Sequence, residues 1–184
     1  MKISHSVILS LATCLWCISL GHVAQADDQT IDLKAVTMEA PKDWKKQEPR
    51  SRIISYEFAA PKVEGDSDDG RLTVMAAGGS IEANIDRWIG QFTQADGKAT
   101  RDRAKISKKM ISGLEVHLVD ISGNFKDMPR GPFGPSVDRE KYRMMAAIVV
   151  AGGGQFFFKF YGPEKTIAEH EKSFTSMVEG LKRN

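Results

Sequence analysis

Gly152-Gly153-Gly154-Gln155-Phe156-Phe157-Phe158-Lys159-Phe160-Tyr161 decides the fold. The glycines follow a β-rich run at residues 141–151, and a glycine turn between two such runs is a strong hairpin signal. With a period of two, Phe156, Phe158 and Phe160 fall on one face, and Phe157 and Tyr161 fall on the other, with Val149 expected across the pair from them. A strand that is aromatic on both faces needs cover on both, so a central sheet with layers above and below is expected.

Outward from that hairpin, Gly162-Pro163-Glu164 opens a helix with proline in its first turn. Ile167, Phe174, Met177, Val178 and Leu181 carry one helical stripe to near the end of the chain, with His170 at its edge. Upstream, residues 105–110 and 114–122 read as two strands joined at Ile111-Ser112-Gly113. In the second, Leu114, Val116 and Leu118 share one face while Val119 and Ile121 take the other. Ser80 is placed to cap a helix whose stripe is Ile81, Ile85, Trp88, Ile89 and Phe92, with Glu82 at its positive end. Residues 52–58 and Leu72-x-Val74-x-Ala76 read as antiparallel neighbours around the acidic, glycine-bearing connection 61–70. Ile31, Leu33, Val36 and Met38 predict a short first strand that stops at Pro41, with Trp44 plugging the edge of the core. The order of strands, helix, four strands and helix is that of a single α+β domain with a mainly antiparallel sheet.

The 184 residues carry 26 Lys+Arg against 24 Asp+Glu and are 41% hydrophobic. That balance excludes a dedicated nucleic-acid binder, a disordered chain and a multi-span membrane protein. Residues 1–26 read as a secretory leader: Lys2, an apolar run from Val7 to Leu20, then Ala24-Gln25-Ala26 as a small-x-small cleavage signature. The run is shorter than a membrane span and broken by Ser10, Thr13 and Ser19. A lipoprotein would be processed at Cys14, where Thr13 replaces the usual small residue. Both cysteines, Cys14 and Cys17, leave with the leader, so the mature domain 27–184 is expected in the periplasm or outside the cell without a disulfide or a transmembrane span.

Several stretches together resemble exported bacterial proteins of the PsbP-like superfamily. They are Pro41 with Trp44, Phe58-Ala59-Ala60-Pro61, Asn84-Ile85-Asp86-Arg87-Trp88, Gly113-Leu114 through Asp120-Ile121-Ser122-Gly123, and the phenylalanine strand through Pro163. The resemblance implies an α/β/α sandwich around an antiparallel sheet, a fold shared by an extrinsic photosystem II subunit and a nuclear Ran-binding factor. It also implies partner binding rather than catalysis.

The residues themselves offer little chemistry. His117 and His170 are over fifty positions apart and no cysteine remains beside them, so no spacing suggests zinc. Asp66-Ser67-Asp68-Asp69-Gly70 fails as a calcium loop, because its glycine comes one place early and Ala77 stands where the closing glutamate belongs. No serine occupies a nucleophile elbow, and Gly152-Gly153-Gly154 lacks the lysine and helix of a phosphate cradle. No cofactor is expected.

Two features are candidates for partner binding. Arg101, Arg103, Lys105 and Lys109 alternate onto one expected strand face, suited either to an envelope protein with an acidic surface or to protecting an exposed sheet edge. The loop Met128-Pro129-Arg130-Gly131-Pro132-Phe133-Gly134-Pro135-Ser136 offers Arg130 and Phe133, residue types favoured in interfaces. The reading is an exported, non-enzymatic binding or accessory module. The alternative is a ligand-binding protein or hydrolase with a pocket between sheet and helix. Intact-mass spectrometry of the exported protein should find a chain beginning at Asp27 without a thiol; a diacylglycerol-modified Cys14 at the new terminus would contradict this.

Overall fold

A computed structural model describes residues 29–128 and 134–184. The expected leader lies outside them, as do Arg130 and Phe133. Strands β1 (Thr30–Asp32), β2 (Val36–Glu39), β3 (Lys45–Gln47), β4 (Tyr56–Ala60) and β5 (Gly70–Ala77) precede helix α1 (Ile81–Ile89). Strands β6 (Phe92–Thr93), β7 (Lys105–Ile111), β8 (Leu114–Asp127), β9 (Val137–Ala151) and β10 (Gly154–Pro163) follow. Helices α2 (Glu164–Glu169) and α3 (Glu171–Glu179) and strand β11 (Lys182–Arg183) complete the chain. The large sheet runs β3-β4-β5-β10-β9-β8-β6 with β7 also on β8, and every pairing is antiparallel.

The phenylalanine strand is central, as its two-sided pattern requires. Phe158 and Phe160 enter a core closed by α2, α3 and the small sheet β1-β2-β11. Trp44 stacks on Phe160 at 4.5 Å, and Phe174 also stacks on Phe160, at 5.6 Å. Phe157 enters a second core beneath α1, where Trp88 meets it edge-on at 5.1 Å. This is the expected α/β/α sandwich, with α1 on the second face. The hairpin turns at Gly152 and Gly153, whose φ of 60° and 75° suit a two-residue turn that few other residues could form.

Five details differ from the sequence reading, some set by a local turn and the others by contacts from distant segments. Val149 sits directly opposite Phe156 and so belongs with Phe158, not with Phe157. The first expected strand is a hairpin: Lys34 turns at φ 65° with its N–H held by the Asp32 carboxylate at 2.8 Å. The strand expected over 52–58 starts only at Tyr56, because Ile54 N–H bonds back to Ser51 and the chain turns, leaving Ile53 69% exposed. Phe92 leaves the helical stripe to pair with Phe125 in the sheet. The last helix is two helices that meet at His170. Trp44 Nε1–H donates to His170 Nδ1 at 3.1 Å, which leaves Nε2 to donate to the Pro61 carbonyl at 2.9 Å. The buried imidazole thus ties the helical layer to the loops before β3 and after β4.

The acidic connection is spent on structure. Asp66 accepts from the N–H and hydroxyl of Thr166 at 2.9 and 2.6 Å and caps α2, whose N-cap Pro163 has no side chain to do so. Among the described residues no helix is long and apolar enough to cross a membrane. Replacing Phe158 with alanine should cost about 3–5 kcal/mol in a chemical melt; a loss below about 1 kcal/mol would place this side chain outside the main core.

Candidate functional site

The basic segment does not form one strand face. Arg101 lies in a single 3-10 turn and pairs with Asp86 of α1, and Arg103 follows that turn and pairs with Asp96. Of the four candidates, Lys105 and Lys109 lie on β7, where Lys109 reaches Glu179 at 3.4 Å. Lys105 is 84% exposed and stands 4.0 Å from Asp120. Arg103 and Lys105 share an open groove of about 610 Å³ with Lys141 and Arg143. There Arg143 is already bonded to both Asp120 oxygens at 2.8 Å and to Glu171 at 2.8 Å. The positive charge of the segment is therefore largely answered by acids of the same chain. His117 lies 2.6 Å from Glu115, which also holds Lys108. Among the described residues no three metal-ligating side chains come together.

A different constellation is built at the far end of the α1 face. Helix α1 has nine residues, about 14 Å of length, and it covers the rows around Phe157 but not the whole face. Beyond it, direct cross-strand partners Tyr161 and Arg71 project to the same side, with Glu57 on the next strand. Arg71 donates to Glu57 through Nε at 2.7 Å and Nη2 at 2.9 Å, and through Nη1 to Tyr161 Oη at 2.5 Å. The Arg50 N–H donates to Glu57 at 3.1 Å. Glu57 is only 2% exposed. Burial alone would push its carboxyl up, yet the bonds from Arg71 and Arg50 hold it below the usual carboxylate range.

Across the sheet, Tyr142 donates to Asp68 at 3.0 Å. Burial, reinforced by that bond, pushes the Tyr142 phenol up to about 12. The Ser67 hydroxyl, with Tyr142 and Arg139 in support, holds Asp68 below its usual range against a smaller effect of burial. Arg139 stands 3.6 Å from Asp127 and 3.8 Å from Asp68, close enough for attraction but beyond hydrogen bonding. Its Nε is buried without a hydrogen-bond partner among the described residues. These groups, with Gln47 and Asp69, wall a cavity of about 290 Å³ between the β4–β5 turn and the ends of β8, β9 and β10.

Between this cavity and α1 lies Lys159. Its ammonium sits over the rings of Phe125 and Tyr161 at 5.3 and 5.0 Å and donates to Gln91 Oε1 at 2.7 Å. Burial pushes it down to about 7, with Arg71 and Arg87 adding repulsion against the attraction of Asp127. None of Glu57, Arg71, Tyr142, Tyr161 or Arg139 was expected as a site from sequence. The available signal was a charge set at a position of a strand that must be covered on both sides, as Lys159 and Glu57 both are.

No family model matches the chain, and no curated protein matches it. Among solved structures, cyanobacterial PsbP from Synechocystis is similar over 95% of this chain and 99% of its own, with 14% identity and a TM-score of 0.51. A Pseudomonas aeruginosa protein of unknown function is similar over 84% of this chain and 96% of its own, with 11% identity and a TM-score of 0.46. LpqN of Mycobacterium tuberculosis, described as involved in cell envelope biogenesis, is similar over 80% of this chain and 82% of its own, with 10% identity and a TM-score of 0.44. The fold is PsbP-like.

Because folded Lys159 holds its proton less tightly than the unfolded chain, the unfolded state carries more protons between about pH 7 and 10.5. Stability should therefore rise with pH from 7 to 9. Above pH 10 the raised phenols of Tyr142 and Tyr161 oppose the trend, since the unfolded tyrosines ionise first. Lys159→Met should flatten the rise and gain about 2–4 kcal/mol at pH 7. Urea melts across this pH range check it; an unchanged slope would contradict the burial of the ammonium.

Proposed function

We propose that the chain is an exported, non-catalytic binding module that receives its ligand at the polar end of the large sheet, beyond α1. The observation that carries this reading is convergence. Glu57, Arg71, Tyr142, Tyr161 and Arg139 come from β4, β5, β9 and β10 and meet around one cavity. Such pockets with a few converging polar groups are the usual form of ligand sites. The absence of catalysis is inferred from bonding: the Glu57 carboxylate is taken up by Arg71, and the Asp68 carboxylate by Ser67 and Tyr142, so neither is poised as a base. Export rests on the leader read in residues 1–26.

A second reading has its own observation. Strand β7 pairs only with β8 among the described residues, and it exposes Ile106 and, at 65%, Met110. A partner with an acidic surface could engage this edge beside Lys105 and Lys109, and the Arg130 and Phe133 loop remains a candidate contact. The ion pairs to Asp86, Asp96 and Glu179 weaken that reading, because a partner would compete with acids already in place.

Cosedimentation of the mature protein with its native envelope separates the two. An Arg139→Gln/Asp127→Asn variant should lose at least about tenfold in bound fraction. Arg101→Gln/Arg103→Gln/Lys105→Gln should bind as before while self-associating more in size-exclusion chromatography, since β7 then lacks charges that oppose edge pairing. Loss only in the second variant, blunted by salt, would favour the basic edge instead.

A further inference from the structure

The cavity wall holds three guanidiniums (Arg50, Arg71, Arg139) and four carboxylates (Glu57, Asp68, Asp69, Asp127). A free anion entering it meets four like charges and a free cation meets three, so neither gains a favourable field from the site as a whole. What the wall offers densely is hydrogen-bonding capacity of both kinds side by side. Arg139 lies between Asp127 and Asp68 at 3.6 and 3.8 Å with no hydrogen bond to either; its Nε is buried, and the rest of its side chain, 35% exposed, is what it presents to the cavity. Tyr161 Oη has accepted its bond from Arg71 and still has a proton to give.

A hydroxyl group matches this pattern. Its oxygen can accept from a guanidinium while its hydrogen is given to a carboxylate, which neither a carboxylate nor an ammonium can do. Neighbouring hydroxyls on one ring can accept from the exposed Nη groups of Arg139 and donate to Asp68 and Asp127 beside it. The volume, about 290 Å³, suits one or two sugar rings rather than a long chain or a nucleotide. Resting on the proposed reading of this cavity as the binding site, we infer that its ligand is an uncharged, hydroxyl-rich molecule, a saccharide unit of one or two rings. The buried Arg71–Glu57 pair fits that role. An apolar pair could have closed the sheet face at lower cost, whereas the ion pair holds Tyr161 in position at the cavity wall.

The test uses the mature chain labelled with ¹⁵N and follows the amides of Asp69, Gly70, Arg71, Tyr142 and Gly162. The probes are D-glucose, N-acetyl-D-glucosamine, cellobiose and N,N′-diacetylchitobiose, set against sodium acetate, inorganic phosphate and glycine. At least one saccharide should give saturable shifts at these amides, weakened at least tenfold in Arg139→Gln and in Asp127→Asn. Each variant is accepted only if the amide spectrum of β10 is retained. Saturable shifts from acetate, phosphate or glycine with none from the sugars would overturn the saccharide assignment while leaving the cavity a binding site. No response at these amides to any probe would overturn the saccharide assignment, and with envelope binding also unchanged in Arg139→Gln/Asp127→Asn it would overturn the reading of the cavity as a binding site as well.

Discussion

The structure depends on a central strand that must be buried on both sides. Along β10, phenylalanines alternate into two cores, and no arrangement with one solvated face could hold Phe157, Phe158 and Phe160 at once. From that constraint follow the flanking strands β5 and β9, the helical layer α2–α3 with its small sheet on one side, and α1 on the other. Trp44, Phe160 and Phe174 form the stacked centre of the first core, and His170 ties that core to the loops before β3 and after β4 through both ring nitrogens. Single aromatic truncations there are costly because the stack has no slack to absorb a void.

The two faces are not covered equally, and the difference creates the site. Two helices and a three-stranded sheet close one face, while nine residues of α1 must serve the other. Where α1 ends, the strands carry Lys159, Arg71, Glu57 and Tyr161 instead of aliphatic residues. The polar groups answer one another: Glu57 is satisfied by Arg71 and Arg50, and Lys159 is held by two rings and one amide. Such a network stabilises little in itself, because desolvation offsets most of its attraction. Its value lies in fixing the phenol and guanidinium that face the cavity.

Sequence made the fold legible because alternation, turn glycines and helix caps are local signals. Ser80 caps α1 through its hydroxyl, and the glycine turn forms where the pattern places it. What the sequence could not display were breaks imposed from a distance: the interruption at His170 and the departure of Phe92 into the sheet. The site was hidden for the same reason. Glu57, Arg71, Arg139 and Tyr161 are separated by long stretches of chain and meet only through strand register. The basic run at 101–109 drew attention because its charges are adjacent, yet their partners Asp86, Asp96 and Glu179 are supplied by other segments.

Lys159 is the point at which these ideas meet, being a cation on the aromatic strand that the fold desolvates beside the cavity. Direct titration of its side chain by NMR, read from the ¹³Cε resonance of the folded protein, tests the account most simply. A midpoint near 7 is the predicted result, with burial between Phe125 and Tyr161 as its cause. A midpoint near the ordinary lysine value of 10.5 would mean that water reaches the ammonium and would contradict its desolvation between the two rings.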